Sequence, residues 1–250
     1  MKRIGLIGGM SWESTATYYR LLNEAVRAAR SPLASADVLL HSLDFSAVVA
    51  LQKAGRWDLA AEMLADSARR LERAGADCVL ICTNTMHLVS AEVQAAVSIP
   101  LIDIIRETGE TLKQAGHSRP LLLATRYTME HGFYADRMEA AVGFRPIVPN
   151  AEDRTLVHRV IFEELCAGHV DPNSARAFEA VVERERAAGA DSVILGCTEI
   201  GLLVRPDALA LPGFCSTEIH AAAAVRFALG EGQETVMQTE NAKLRERVAA

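Results

Sequence analysis

The sequence predicts an α/β fold of two pseudosymmetric Rossmann-like lobes with parallel sheets and a functional site in the cleft between them. Three observations predict it. The chain carries a twin: residues 74–87 read AGADCVLICTNTMH and residues 188–201 read AGADSVILGCTEIG. Each copy reads as a helix end, a turn, a buried strand and a polar loop. Further pieces match in the same order: the strand and loop of 121–128 with those of 4–11, 133–140 with 18–25, and 211–214 with 99–102. All lie at a shift of about 115 residues, the mark of a duplicated unit. Finally, strand-like and helix-like runs alternate with short connections, which builds parallel sheets covered by helices.

Taken in order, residues 4–7 form a buried strand that Gly8-Gly9-Met10-Ser11 breaks. Residues 13–30 read as a helix with Ser11 or Ser14 as N-cap. Residues 38–42 are strand-like. Residues 57–74 have helical periodicity, with Ala60, Leu64, Ala68 and Leu71 on one side and Gly75 at the C-cap position. A strand at 78–82, a helix at 87–97, a strand at 100–104 and a helix at 106–115 follow. In the second half, 121–124 is a strand and Thr125-Arg126-Tyr127-Thr128 replaces the glycine loop. Residues 133–140 stand where 18–25 stood. Residues 152–167 and 172–188 are helical, then comes the second strand copy, and 216–229 form the last helix. The expected division is a first lobe of 1–105, with 214–230 packing back onto it, a second lobe of 106–213, and a tail of 231–250 outside the core.

Composition narrows the function. A net charge of -6 with scattered basic residues argues against nucleic acid as the partner. No apolar run approaches the roughly 18 residues of a membrane span. Residues 4–10 hold three glycines and read as a first strand, not as part of a leader. Five cysteines, an odd number without close pairs, do not suit a disulfide framework. The seven histidines do not cluster at ligand spacing, so no metal is expected. The loop Gly5-Leu6-Ile7-Gly8-Gly9 is not G-x-G-x-x-G, which removes the main support for a dinucleotide. The composition suits a reduced, cytoplasmic protein.

In open parallel sheets, ligands sit beyond the carboxyl ends of the strands. The twin's register sets Thr83 opposite Cys197, Asn84 opposite Thr198 and Thr85 opposite Glu199. Cys197 precedes a loop expected to open a helix, whose N–H groups lower a thiol pKa from about 8.5 toward neutrality. A thiolate there is a base or a nucleophile. Cys78, Cys82, Cys166 and Cys215 read as structural, and so does His87.

GLIGGMSWEST at 5–15, CTNTMH at 82–87, LLATRYTMEHGFY at 122–134 and GCTEIGLLV at 196–204 together resemble the aspartate/glutamate racemase family. The likeness runs from residue 1 to about 229 and is greatest to L-aspartate/glutamate-specific and broad-specificity racemases. It implies a substrate held between two lobes, no cofactor, a small amino acid as ligand and a homodimer. The family reaction uses two groups on opposite faces of the α-carbon, one removing a proton and the other returning one. Carried over residue by residue, Cys197 is one of them and Thr83 stands where the other cysteine falls. Met10, Ser11, Gln52, Asn84, Thr85, Thr125, Thr128 and Thr198 match positions around the substrate. Glu199 would bind the ammonium or orient Cys197.

Two departures matter. With TNT in place of CNT, one face keeps a strong base and the other a hydroxyl, so the implied preference is for L-aspartate and L-glutamate. Cys82, one residue early, turns to the other face of its strand. The cations that hold a distal carboxylate in many aspartate racemases are also missing: those regions read Asp44-Phe45-Ser46 and Leu165-Cys166-Ala167-Gly168. That raises a neutral substrate such as homoserine as the alternative. A catalytically weakened amino-acid-binding relative and a single-cysteine arylmalonate decarboxylase are the other classes weighed.

Overall fold

The computed structural model of the chain describes residues 1–230. The expected tail, 231–250, lies outside them. The strand β1 (Ile4–Gly8) leads into α1 (Trp12–Ala29), β2 (Val38–Ser42), α2 (Phe45–Lys53) and α3 (Trp57–Arg73). Then come β3 (Cys78–Ile81), a 3₁₀ turn (Thr85–Val89), α4 (Ser90–Ala95), β4 (Leu101–Ile102) and α5 (Ile104–Gln114). The second sheet begins with β5 (Pro120–Leu123), followed by α6 (Arg126–Glu130), α7 (Phe133–Val142), α8 (Ala151–Arg159) and α9 (Pro172–Ala187). β6 (Ser192–Leu195), α10 (Ile200–Leu203), β7 (Gly213–Cys215) and α11 (Ser216–Leu229) complete it.

Both sheets are parallel, ordered β2-β1-β3-β4 and β5-β6-β7. A single parallel bridge from Leu121 to Ile147 occupies the edge that β2 fills in the first sheet. With that edge counted, the two sheets have one plan, and β3 and β6 are equivalent strands.

Side chains alternate across the first sheet as a strand requires. Ile7, Val79 and Ile81 pack on Leu64, Ala68 and Val93 of α3 and α4. Ile4, Leu6, Leu80 and Cys82 face the other way, onto Tyr18, Leu22 and Val26 of α1 and Ala221, Ala224 and Ala228 of α11. The last helix therefore closes the first sheet's second face. In the other core, Leu121–Leu123 and Val193–Leu195 meet Ile104, Ile105 and Leu112 of α5 and Phe178, Val181 and Val182 of α9.

The structure corrects several expectations. The helix placed at 87–97 is a 3₁₀ turn from Thr85 followed by a short α4, with the Ser90 hydroxyl donating to the His87 carbonyl at 2.9 Å. The strand placed at 100–104 stops at Ile102, because Asp103 caps α5, its Oδ1 accepting the Ile105 and Arg106 N–H groups at 2.9 and 3.1 Å. β3 ends at Ile81, where the Thr83 N–H turns back to the Ile81 carbonyl at 2.8 Å. The helix expected at 152–167 loosens after Arg159 into a π turn (Val160–Glu164) and a 3₁₀ turn (Leu165–Ala167). α2 has no counterpart in the sequence reading. Asp44 caps it, accepting the Ser46 N–H at 2.9 Å, and only Val48 and Gln52 of its nine residues are buried.

Candidate active site

The polar strand ends converge between the sheets. Gly9 bends the chain after β1 at φ +82°, which glycine adopts without strain. Its N–H donates to the Thr15 hydroxyl at 2.8 Å, and that hydroxyl donates to the Ser11 carbonyl at 3.0 Å. Ser11 caps α1, accepting the Ser14 N–H at 3.3 Å. Its own hydroxyl crosses to the other strand end and donates to Glu199 Oε1 at 2.7 Å. The second carboxylate oxygen, Oε2, accepts from Cys197 Sγ at 2.9 Å. Cys197 follows Gly196, where a Cβ would lie 2.9 Å from Leu122 Cδ1 and 3.0 Å from the Ala124 Cβ. Only a residue without a side chain lets β6 run this close to β5 and deliver the thiol to the cleft.

Further hydroxyls and amides complete the wall. Thr198 bonds to Ser14, and the Thr217 hydroxyl donates to it at 3.3 Å. Asn84 Nδ2 donates to the Ser216 hydroxyl at 3.0 Å, which in turn donates a hydrogen bond to the Leu195 carbonyl at 3.0 Å. That chain fixes the amide's orientation. It leaves Asn84 Oδ1 as a buried acceptor without a partner among the described residues, and such an atom costs about 1–3 kcal/mol until one arrives. The hydroxyls of Thr85, Thr125 and Thr128 form a triangle with edges of 2.9, 3.1 and 3.1 Å, joining the two sheets.

The sequence-predicted residues Met10, Ser11, Gln52, Thr83, Asn84, Thr85, Thr125, Cys197, Thr198 and Glu199 all line one cavity. Thr128 does not line it; it stands behind Thr85 and Thr125 as their hydrogen-bond partner. Cys82 is buried on the far face of β3, as strand alternation requires. His87 is fully buried, and its ring bonds to backbone groups rather than entering the cavity.

The cavity also takes Tyr127, Ile161 and Phe162, which the sequence did not mark, and Phe45 and Cys166 from the two stretches where the distal cations are missing. Cys166 was read as structural. Loosening of the helix at 160–167 brings it to the wall instead. Among the described residues no lysine or arginine lines the cavity. Among the described residues no cluster of His, Cys, Asp and Glu could hold a metal ion, and no helix is long and apolar enough to cross a membrane.

The electrostatics overturn one expectation. The Cys197 thiol is not lowered toward neutrality. Burial pushes it well up, and the Glu199 carboxylate pushes it further. α10 is too short, and its N-terminal N–H groups too weak, to offset a carboxylate in contact. At rest the site therefore holds a thiol donating to a carboxylate. Cys166 is pushed up to about 12, chiefly by burial and also by Glu199. A thiol and a carboxylate in contact thus face a cavity between two α/β lobes of one plan.

Comparison with known proteins agrees with that two-lobed plan. Residues 7–224 match the Asp/Glu/hydantoin racemase family, and the chain belongs to it. The structure is similar to that of a candidate Asp/Glu racemase from Yersinia pestis, at 45% identity and a TM-score of 0.86, covering 92% of this chain and 100% of that one. It is also similar to an aspartate racemase homologue from Pyrococcus horikoshii, at 33% identity and a TM-score of 0.81, covering 91% and 99%. The broad-specificity amino-acid racemase RacX of Bacillus subtilis is 24% identical over 148 residues, 56% of this chain and 59% of RacX.

Proposed function

We propose that the chain is a cofactor-independent amino-acid racemase. In this reading Cys197 works on one face of the α-carbon, Thr83 stands on the other, and the substrate is an L-amino acid with a neutral side chain. The observation that carries it is the Cys197–Glu199–Ser11 chain lining a cavity in which no described residue places a lysine or arginine. Glu199 takes the thiol proton, and the thiolate removes the α-hydrogen, becoming a thiol again. The Thr83 hydroxyl delivers a proton to the opposite face and is reprotonated through water by the proton that Glu199 took, which leaves Cys197 a thiol and Glu199 a carboxylate. The electron pair left on the α-carbon spreads into the carboxylate, which hydroxyl donors such as Thr85 and Thr125 stabilise. Asn84 Oδ1, the unpartnered acceptor, fits the substrate ammonium.

Phe45 and Cys166 stand in the two regions where a distal carboxylate would need a positive charge, and Ile161 and Phe162 extend that apolar wall. A second carboxylate there would be desolvated without a partner. L-aspartate and L-glutamate remain the second reading, favoured by the likeness to the Yersinia pestis protein.

Proton NMR in D2O with L- and D-homoserine, aspartate and glutamate tests both. Cα deuteration of L-homoserine ahead of the acidic substrates is expected. Loss of that exchange by about 1,000-fold in Cys197→Ala is expected too. Faster exchange of L-aspartate or L-glutamate would install the second reading. Exchange that survives in Cys197→Ala would remove Cys197 from the chemistry.

A further inference from the structure

His87 lies beneath Thr83, fully buried. Its Nδ1–H donates to the Thr83 carbonyl at 2.8 Å, and its Nε2 accepts the Ile104 N–H at 3.3 Å. A carbonyl only accepts and an amide N–H only donates, so the ring is neutral with its proton on Nδ1. It stands edge-on to His220, with centroids 5.7 Å apart. The same logic fixes His220. Its Nε2–H donates to the Ile102 carbonyl at 2.8 Å, and its Nδ1 accepts the Tyr18 hydroxyl at 2.7 Å. Three buried side chains thus form a column that runs from α1 and α11 to the back of Thr83. Arg137 of α7 closes it by donating to the His87 carbonyl at 2.6 Å and pairing with Asp103.

The column holds a peptide at the site. Thr83 sits just past β3, where its N–H turns back on Ile81 and its carbonyl is free for His87. We infer that His87 is a positioning residue for the Thr83 face, fixing the Thr83 peptide and through it the aim of the hydroxyl into the cleft. The inference rests on the proposed two-faced reaction. It assigns His87 to one face only, because the Cys197 face is held by Ser11 and Glu199.

Two rates measured on one sample separate the faces. In D2O, loss of the α-proton of L-homoserine reads removal by Cys197, and appearance of the D-isomer reads delivery from the Thr83 side. A misplacement of about 1 Å costs on the order of 100-fold in rate. His87→Leu is therefore expected to lower inversion by at least about tenfold relative to proton loss. If it does not fold, His87→Asn and His87→Gln carry the comparison. Asparagine places an amide donor where Nδ1–H lies, and glutamine reaches the Nε2 position. His87→Asn is expected to keep the wild-type ratio and His87→Gln to lose it. Equal losses of both rates in every variant, or an unchanged ratio in His87→Gln, would overturn the inference. Proton loss without inversion in the wild type would sink the Thr83 assignment, and His87 with it. Proton loss that persists in Cys197→Ala would instead overturn the Cys197 reading on its own.

Discussion

Thr83 and Cys197 follow equivalent strands of two duplicated sheets, and their surroundings differ in kind. Behind Cys197 stands a carboxylate that touches the sulfur and is gripped from the other lobe by Ser11. Behind Thr83 stands a neutral histidine whose ring nitrogens bond only to backbone. One strand end carries a group that can gain and lose a proton, with a proton acceptor attached. The other carries a hydroxyl on a rigid support. Duplication supplied two matched positions, and the residues that flank them set what each can do.

The largest test equalises the two ends. Thr83→Cys is expected to raise α-proton exchange of D-isomers on the order of 100-fold, read by NMR in D2O. Unchanged D-exchange would mean that the two strand ends do not address opposite faces. A smaller effect is expected at the carboxylate. Glu199→Gln removes the acceptor for the thiol proton, so L-isomer exchange is expected to fall about tenfold. It also removes a negative charge beside the sulfur, so the Cys197 titration moves down. In the wild type, burial and Glu199 hold that thiol well above its ordinary 9.0, so alkylation of Cys197 keeps rising with pH beyond that value. The same profile in Glu199→Gln is expected at lower pH. An unshifted profile would break the link between the two groups.

The smallest effect belongs to the column behind Thr83. Burial first, and His87 second, lower His220 from 6.5 to about 3. A histidine kept neutral by folding contributes stability above pH 6.5. That contribution is lost as pH falls toward 3, since only the unfolded chain takes up the proton. Denaturant midpoints are therefore expected to decline over that window. In His220→Phe the decline should be shallower, and an equal slope would remove His220 from the acid response.

Much of this was legible in the sequence. The repeated AGAD strands carry their own register, so the pairing of Thr83 with Cys197 could be read from letters alone. The alternation that hides Cys82 needs only the two-residue period of a strand. What was not legible came from elements with weak patterns. α2 is too exposed to show a helical stripe, so the helix that carries Phe45 to the cavity went unread. Cys166 reaches the cavity only because a helix loosens after Arg159, and no periodicity announces that. The thiol's raised pKa comes from burial and from a carboxylate two residues away that folds back onto it. Spacing along the chain does not encode that contact.

Trp57 of α3 stands edge-on to Tyr127 and His131 around α6, with centroids 5.7 Å away in each case. Tyr127 also lines the cavity. The second tryptophan, Trp12, is 67% exposed and next to Ser11. The molecule thus carries two natural fluorophores of different character. Trp12 emits as an indole in water, red-shifted and open to a soluble quencher. Trp57 emits from the contact of α3 with Tyr127 and His131, and its colour and yield are expected to change with the gap between α3 and α6. Light from a single Trp12→Phe variant would follow that gap in solution, in real time and without a label.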